Sequence, residues 1–85
     1  MLMIISNKAK AKPKDYAFME QSEKVLSNLP DTWKQYPDTI DGMCKIIDME
    51  YNELKMAKTT ETKSHELVHL ASACLHLWRK LNNVE

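Results

Sequence analysis

Glycine is almost missing from this chain. Gly42 is the one example in 85 residues, alongside three prolines, two cysteines and a single phenylalanine. So little glycine leaves few of the positive-φ positions that β-hairpins and all-β folds use. It also leaves no glycine-rich loop to cradle a phosphate. Long apolar runs are lacking too: the longest spans residues 1–5, far short of the ~20 residues that a membrane helix needs. That opening MLMIIS stretch has no basic flank and no small-residue cleavage site, so it does not read as a signal peptide. The expectation for it is an arm that packs on the body or pairs with another chain. Cys44 and Cys74 show no CxxC or other ligand spacing, and both fall at apolar helical positions. They are expected to be buried, reduced thiols of a cytoplasmic protein.

What is present favours helices. Hydrophobic residues make up 44% of the chain and charged residues 28%, a balance that fits one small soluble domain and neither a disordered chain nor a membrane protein. The formal net charge is zero, from 12 bases and 12 acids, but the charges are unevenly placed. Lys8, Lys10, Lys12 and Lys14 have no acid among them, which leaves 8 bases against 12 acids, a net of −4, in the remaining residues. The chain thus divides into a basic arm, 1–14, and a mildly acidic domain, 15–85. No aromatic residue is interleaved with the lysines and the body has no basic face, which argues against a nucleic-acid partner.

Hydrophobic periodicity predicts three helices. The first covers about residues 15–28, capped by Asp15, with Phe18, Ser22, Val25 and Leu29 on one stripe. Leu29 and Pro30 end it, and residues 31–39, with Trp33, Tyr36 and Pro37, form a turn or short helix. A second helix runs from Ile40 to about Lys58, capped by Asp38 or Thr39, with Ile40, Met43, Ile47, Tyr51 and Leu54 at three- and four-residue spacing. After the polar TTETK segment, 59–63, a third helix covers about 62–82. Its expected core seam is Leu67, Leu70, Ala71, Cys74, Trp78 and Leu81. A connection this short makes the last two helices an antiparallel hairpin. The fold expected is all-α: a helix hairpin plus a preceding helix, completed into a bundle by oligomerisation, because the apolar residues occupy more than one helix face.

Two polar rows lie beside that core. On the second helix Glu50 and Glu53 continue the row Met43, Ile46, which begins as core. On the third helix Glu66, His69, Ala73, His76 and Lys80 fall within about 80° of arc. An antiparallel hairpin brings these rows together and gathers three carboxylates and an imidazole. Carboxylate oxygens are the hard ligands that Mg²⁺ prefers, and a cation held by them polarises phosphoryl oxygens and activates water. An ordinary solvated helix edge is the plain alternative, since Glu is a good helix former.

The pattern Glu50-x-x-Glu53, twelve intervening residues, then Glu66-x-x-His69 resembles the ExxE…ExxD signature of the MazG-like all-α nucleoside triphosphate pyrophosphohydrolases. DTIDGMCKIIDMEYNELKMAK and HELVHLASACLHLWRKL resemble the helix pair of the small, phage-type members, and the likeness covers roughly residues 31–82. It implies an α-helical chain that forms homodimers or homotetramers and releases pyrophosphate from an NTP or dNTP. It also implies Mg²⁺ or Mn²⁺ as cofactor, with Glu50, Glu53, Glu66 and His69 at the metal-ligand positions and Glu50 and Glu53 as the catalytic pair. His76, two turns beyond His69, takes the place of a substrate-contacting amide. The family's fourth acid is His69 here, a neutral imidazole suited to Zn²⁺, Mn²⁺ or Ni²⁺. Weakened or lost catalysis is therefore the second expectation, and the alternative function is a non-catalytic helical module whose purpose is a partner or an oligomer.

A rival motif occupies the same letters. His65-Glu66-Leu67-Val68-His69 is an HExxH string, which on a helix offers two histidines to Zn²⁺ with the glutamate as general base. Its third ligand is not in register: His76 is one residue off the metzincin spacing, and only nine residues follow it. None of Ser22, Ser27, Ser64 and Ser72 lies on a turn that would expose a nucleophilic hydroxyl beside a base. Trp33 and Trp78 read as core or interface anchors.

Overall fold

A computed structural model describes residues 10–84 of the chain. Through them run α1 (Pro13–Ser27), α2 (Ile40–Met56) and α3 (Thr60–Leu81), with a 3-10 helix, Asp31–Gln35, between the first two. No strand occurs among the described residues, which are all-α as the composition implied. None of these helices is long and apolar enough to cross a membrane. The MLMIIS stretch and Lys8 lie outside the described residues.

Local chemistry sets the helix ends. Pro13 supplies a pre-set φ at the first helical position of α1, and Asp15 reaches back to accept the Lys12 backbone N–H at 2.7 Å. Asp15 thus acts from inside the first turn rather than as the cap itself, and the helix starts two residues before the expected point. α1 stops at Ser27, ahead of Pro30, whose ring disfavours helical backbone in the residue before it. At α2 the Thr39 hydroxyl accepts the Gly42 N–H at 3.0 Å. At α3, Thr59 and Thr62 each accept the other's backbone N–H at 3.1 Å. Only residues 57–59 separate α2 from α3, so the two pack as an antiparallel hairpin.

Gly42 is required by its surroundings. The Pro37 carbonyl lies where a Cβ on residue 42 would project, so the chain entering α2 can fold back only against a residue without a side chain. That close approach seats the 3-10 segment on the hairpin and carries Trp33 inward. Trp33, Ile46 and Ala73 form the core, bordered by Val25, Leu26, Leu29, Tyr36, Ile47 and Met49.

α3 is the central element and packs on both α2 and α1. Ser72 is fully buried, and its hydroxyl is shared between the Ser22 carbonyl at 2.9 Å and the Val68 carbonyl at 2.7 Å. Two small residues facing each other let α1 and α3 approach closely. Arg79 adds a 3.2 Å contact with Glu23 at the rim.

The packing corrects the expected seam of the third helix. Val68, Ser72 and Ala73 are the buried residues of α3, whereas Leu67, Cys74, Trp78 and Leu81 are exposed. Cys44 is exposed as well, so neither thiol is buried as expected. Ile40 and Tyr51 of α2 also face outward, each 50% exposed. The physical reason is that the polar row of α3 pairs with Glu50, while small Ser72 and Ala73 permit the closest helix contacts. The larger leucine and tryptophan side chains are turned to the far side. A radius of gyration of 14.4 Å and extents of 42 × 35 × 20 Å describe a slab about two helices thick, wider than the roughly 12 Å radius expected of a fully compact chain this size.

Candidate metal centre

Glu50 is the unusual residue of this core. It is a carboxylate with 1% exposure, placed one turn beyond buried Met43 and Ile46 on the inner row of α2. A carboxylate in such a place needs partners, since an unpaired buried charge is costly. One partner is Trp33, whose indole N–H donates to Glu50 Oε2 at 2.6 Å. The other oxygen, Oε1, is buried and accepts no hydrogen bond.

That free oxygen faces the polar row of α3. His69 Nδ1 stands 3.8 Å from it, and one ligand atom from each of Glu50, Glu66 and His69 lies within 4.8 Å of the others. Glu66 likewise has a buried Oε1 with no partner. Two carboxylates, each with a buried oxygen that lacks a partner, lie together with an imidazole and suit a divalent cation: the donors are anionic or neutral, and a cation would offset the charge of both carboxylates.

Glu53 comes one turn after Glu50, where the inner row of α2 leaves the core, and its side chain is exposed. Partial burial, together with the negative charges of Glu50 and Glu66, pushes its carboxyl above the ordinary value of 4.5. Burial and like charges both disfavour its ionised form. Glu53 therefore borders the cluster without joining its three converging atoms. It opens onto a recess of about 460 Å³ that Tyr36, Lys45, Asn52 and Met56 also line.

The remaining sequence candidates are placed elsewhere. His76 is half-buried against Trp33, with ring centres 6.1 Å apart, and faces a separate cavity of about 260 Å³. It shares a helix row with His69 but not the cluster. His65 lies with its ring 4.4 Å from that of His69, tilted by 48°, and is not among the three converging ligands. The HExxH histidines thus lie ring against ring at a tilt, and Glu66 has an oxygen buried among the cluster rather than turned outward as a base. Lys45, which lines the Glu53 recess, meets Asp41 at 3.4 Å.

Trp33 lies in the core as read, but its bond to Glu50 is what sequence reasoning missed. A signal existed: a buried indole needs an acceptor for its N–H, and the nearest acidic position on an otherwise apolar row is Glu50. No family model, curated protein or solved structure matches the chain. Its functional reading therefore rests on the geometry of these side chains.

Proposed function

We propose that the chain is a metal-dependent nucleotide pyrophosphohydrolase of the MazG-like kind. The observation that carries this reading is the buried, unpartnered Oε1 of Glu50, with Glu66 and His69 converging on it. Glu50, Glu66 and His69 would hold the cation, with Glu53 beside them. Bound there, a divalent cation supplies charge neutralisation to a phosphate chain and lowers the pKa of water.

The chain's own residues account for the rest. Glu53 is exposed beside the cluster, where its carboxylate can reach a solvent water as proton acceptor. It takes the proton from a water whose oxygen bonds to phosphorus on one side of the α–β anhydride. That anhydride bond breaks, its electron pair leaves with the departing phosphate oxygen, and the products are a nucleoside monophosphate and pyrophosphate. Lys45 and Asn52, on the same recess as Glu53, are the cationic and amide groups closest to hand for the phosphates and sugar. The test is incubation of the pure chain with mixed dNTPs and Mg²⁺, Mn²⁺, Co²⁺ or Zn²⁺, reading pyrophosphate. Release that Glu53→Ala abolishes supports the reading, and absence of release with every divalent cation tried, Co²⁺ and Zn²⁺ included, ends it.

A second reading, a helical module that acts by self-association, is favoured by a different observation. Stepping one residue from the inner rows turns 100° about each helix axis. In an antiparallel pair both turned rows fall on the same side. On α2 that row is Cys44, Ile47, Tyr51 and Leu54; on α3 it is Leu67, Leu70, Cys74, Leu77 and Leu81, with Trp78 beside it. Most of these residues are exposed or half-buried, and α1 packs on α3 through Ser72, one step the other way. A second copy of the chain, giving a homodimer or homotetramer, would cover this face. Mass by light scattering tests it: a value of 9.9 kDa at micromolar concentration rules it out.

A further inference from the structure

The two oxygens of Glu50 have different fates. Oε2 is held at 2.6 Å by an indole that is itself 3% exposed, so neither group has room to swing. Oε1 alone is free to face a ligand. A cation in the cluster therefore meets Glu50 through one oxygen and meets nitrogen through His69. Both constraints bear on which cation fits. Ca²⁺ takes six to eight oxygens, typically including bidentate carboxylates, and Mg²⁺ dehydrates reluctantly and favours oxygen-only octahedra. First-row transition cations accept imidazole readily and bind mixed nitrogen and oxygen sites more tightly.

We infer that the Trp33–Glu50–His69 arrangement selects transition cations such as Mn²⁺, Co²⁺ and Zn²⁺ over Mg²⁺ and Ca²⁺, with Trp33 as a positioning residue that keeps Glu50 monodentate. The inference rests on the reading of Glu50, Glu66 and His69 as cation ligands and deepens it. His69 sets the preference for nitrogen-loving metals, and Trp33 acts through Glu50 without touching the ion. Outer partners of metal ligands typically change affinity by 10- to 100-fold when removed.

The test is calorimetric titration of the full chain with Co²⁺, Zn²⁺, Mn²⁺, Mg²⁺ and Ca²⁺, each alone, with the visible spectrum of the Co²⁺ form and the melting temperature recorded. Co²⁺ and Zn²⁺ are expected to bind at one ion per chain, at least about tenfold more tightly than Mg²⁺ or Ca²⁺. His69→Asp is expected to narrow the gap between Co²⁺ and Mg²⁺ at least about tenfold. Trp33→Phe is expected to weaken Co²⁺ about 10- to 100-fold and to narrow the gap between Co²⁺ and Ca²⁺ as Glu50 becomes free to chelate. Paramagnetic Co²⁺ should also quench Trp33 emission in a Trp78→Phe background, a readout that holds if Trp33→Phe fails to fold. Mg²⁺ binding as tightly as Co²⁺, or an unaltered ratio of Co²⁺ to Mg²⁺ affinity in His69→Asp, overturns the inference. Pyrophosphate release in that event leaves the hydrolase reading standing. The expected cation order without pyrophosphate release from any loaded form removes the hydrolase and leaves the inference. No binding of any cation removes both.

Discussion

Trp33 and Glu50, 17 residues apart in the chain, are joined by a 2.6 Å hydrogen bond between two side chains that are almost wholly buried. The bond ties the 3-10 segment to α2 and sets the orientation of the carboxylate that the cluster depends on. Core packing and site geometry therefore share one contact.

Removing the indole N–H should cost more than its packing volume. Trp33→Phe leaves Glu50 Oε2 buried without a donor, and destabilisation of about 2–3 kcal/mol is expected in urea unfolding. Glu50→Leu removes the charge and its need for a partner, so Trp33→Phe in that background should cost clearly less. A coupling of about 1–3 kcal/mol between the two changes marks the pair as interacting. Strict additivity would show that the bond contributes nothing.

Glu53 gives the fold a pH dependence whose sign is fixed. Its folded pKa lies above the ordinary 4.5, so the folded state holds the proton more tightly than the unfolded chain does. The stability it contributes is full below pH 4.5 and is lost as pH rises through the elevated folded value. Glu53→Gln removes the ionisation, so the variant should melt higher than the native chain at neutral pH without metal, the difference shrinking as pH falls towards 4. An identical melting profile for both chains across that range would count against the crowding of Glu53 by Glu50 and Glu66. Because a cation competes with this proton, metal affinity should rise with pH over the same window.

Gly42 makes an unusual demand on the start of α2. Alanine is the better helix former by about 1 kcal/mol, so Gly42→Ala would stabilise an isolated helix. Here the added methyl meets the Pro37 carbonyl, and overpacking of this kind typically costs about 1–3 kcal/mol. Net destabilisation is expected, with Trp33 emission shifting to the red as the 31–39 segment lifts and the indole meets water. A gain in melting temperature would show that the segment yields without strain.

These contacts explain what could and could not be read from the chain. The helices were legible because Ile40 to Leu54 and the α3 stretch repeat at three and four residues, and because Thr39 caps α2; α3 begins at Thr60 behind a Thr59 cap, two residues before the expected start, since threonine hydroxyls in the polar link satisfy its first N–H groups. The meeting of Glu50 with Glu66 and His69 followed from row geometry in an antiparallel hairpin. The rotation of α3 did not. Periodicity finds an apolar stripe but not which stripe wins, and here small Ser72 and Ala73 take the interior while Leu67, Trp78 and Leu81 stay outside. The bond of Trp33 to Glu50 was hidden for a similar reason, since nothing local in DTWKQY indicates that the indole N–H will find a carboxylate on the next helix.

The outward stripe leads to the last expectation. A face with Tyr51 50% and Trp78 55% exposed, and with both cysteines exposed, should be covered if a second chain packs there. Thiol labelling then depends on concentration: Cys44 and Cys74 should react readily in dilute protein and slowly at high concentration. Trp78→Glu places a charge against the stripe while leaving the Trp33, Ile46 and Ala73 core untouched, so it should lower the measured mass to that of one chain, abolish the protection and keep the helical content. Labelling at one rate across a thousandfold concentration range would mean that the stripe stays bare. Since the cluster of Glu50, Glu66 and His69 is drawn from a single chain, cation binding should survive Trp78→Glu, which separates association from the metal centre.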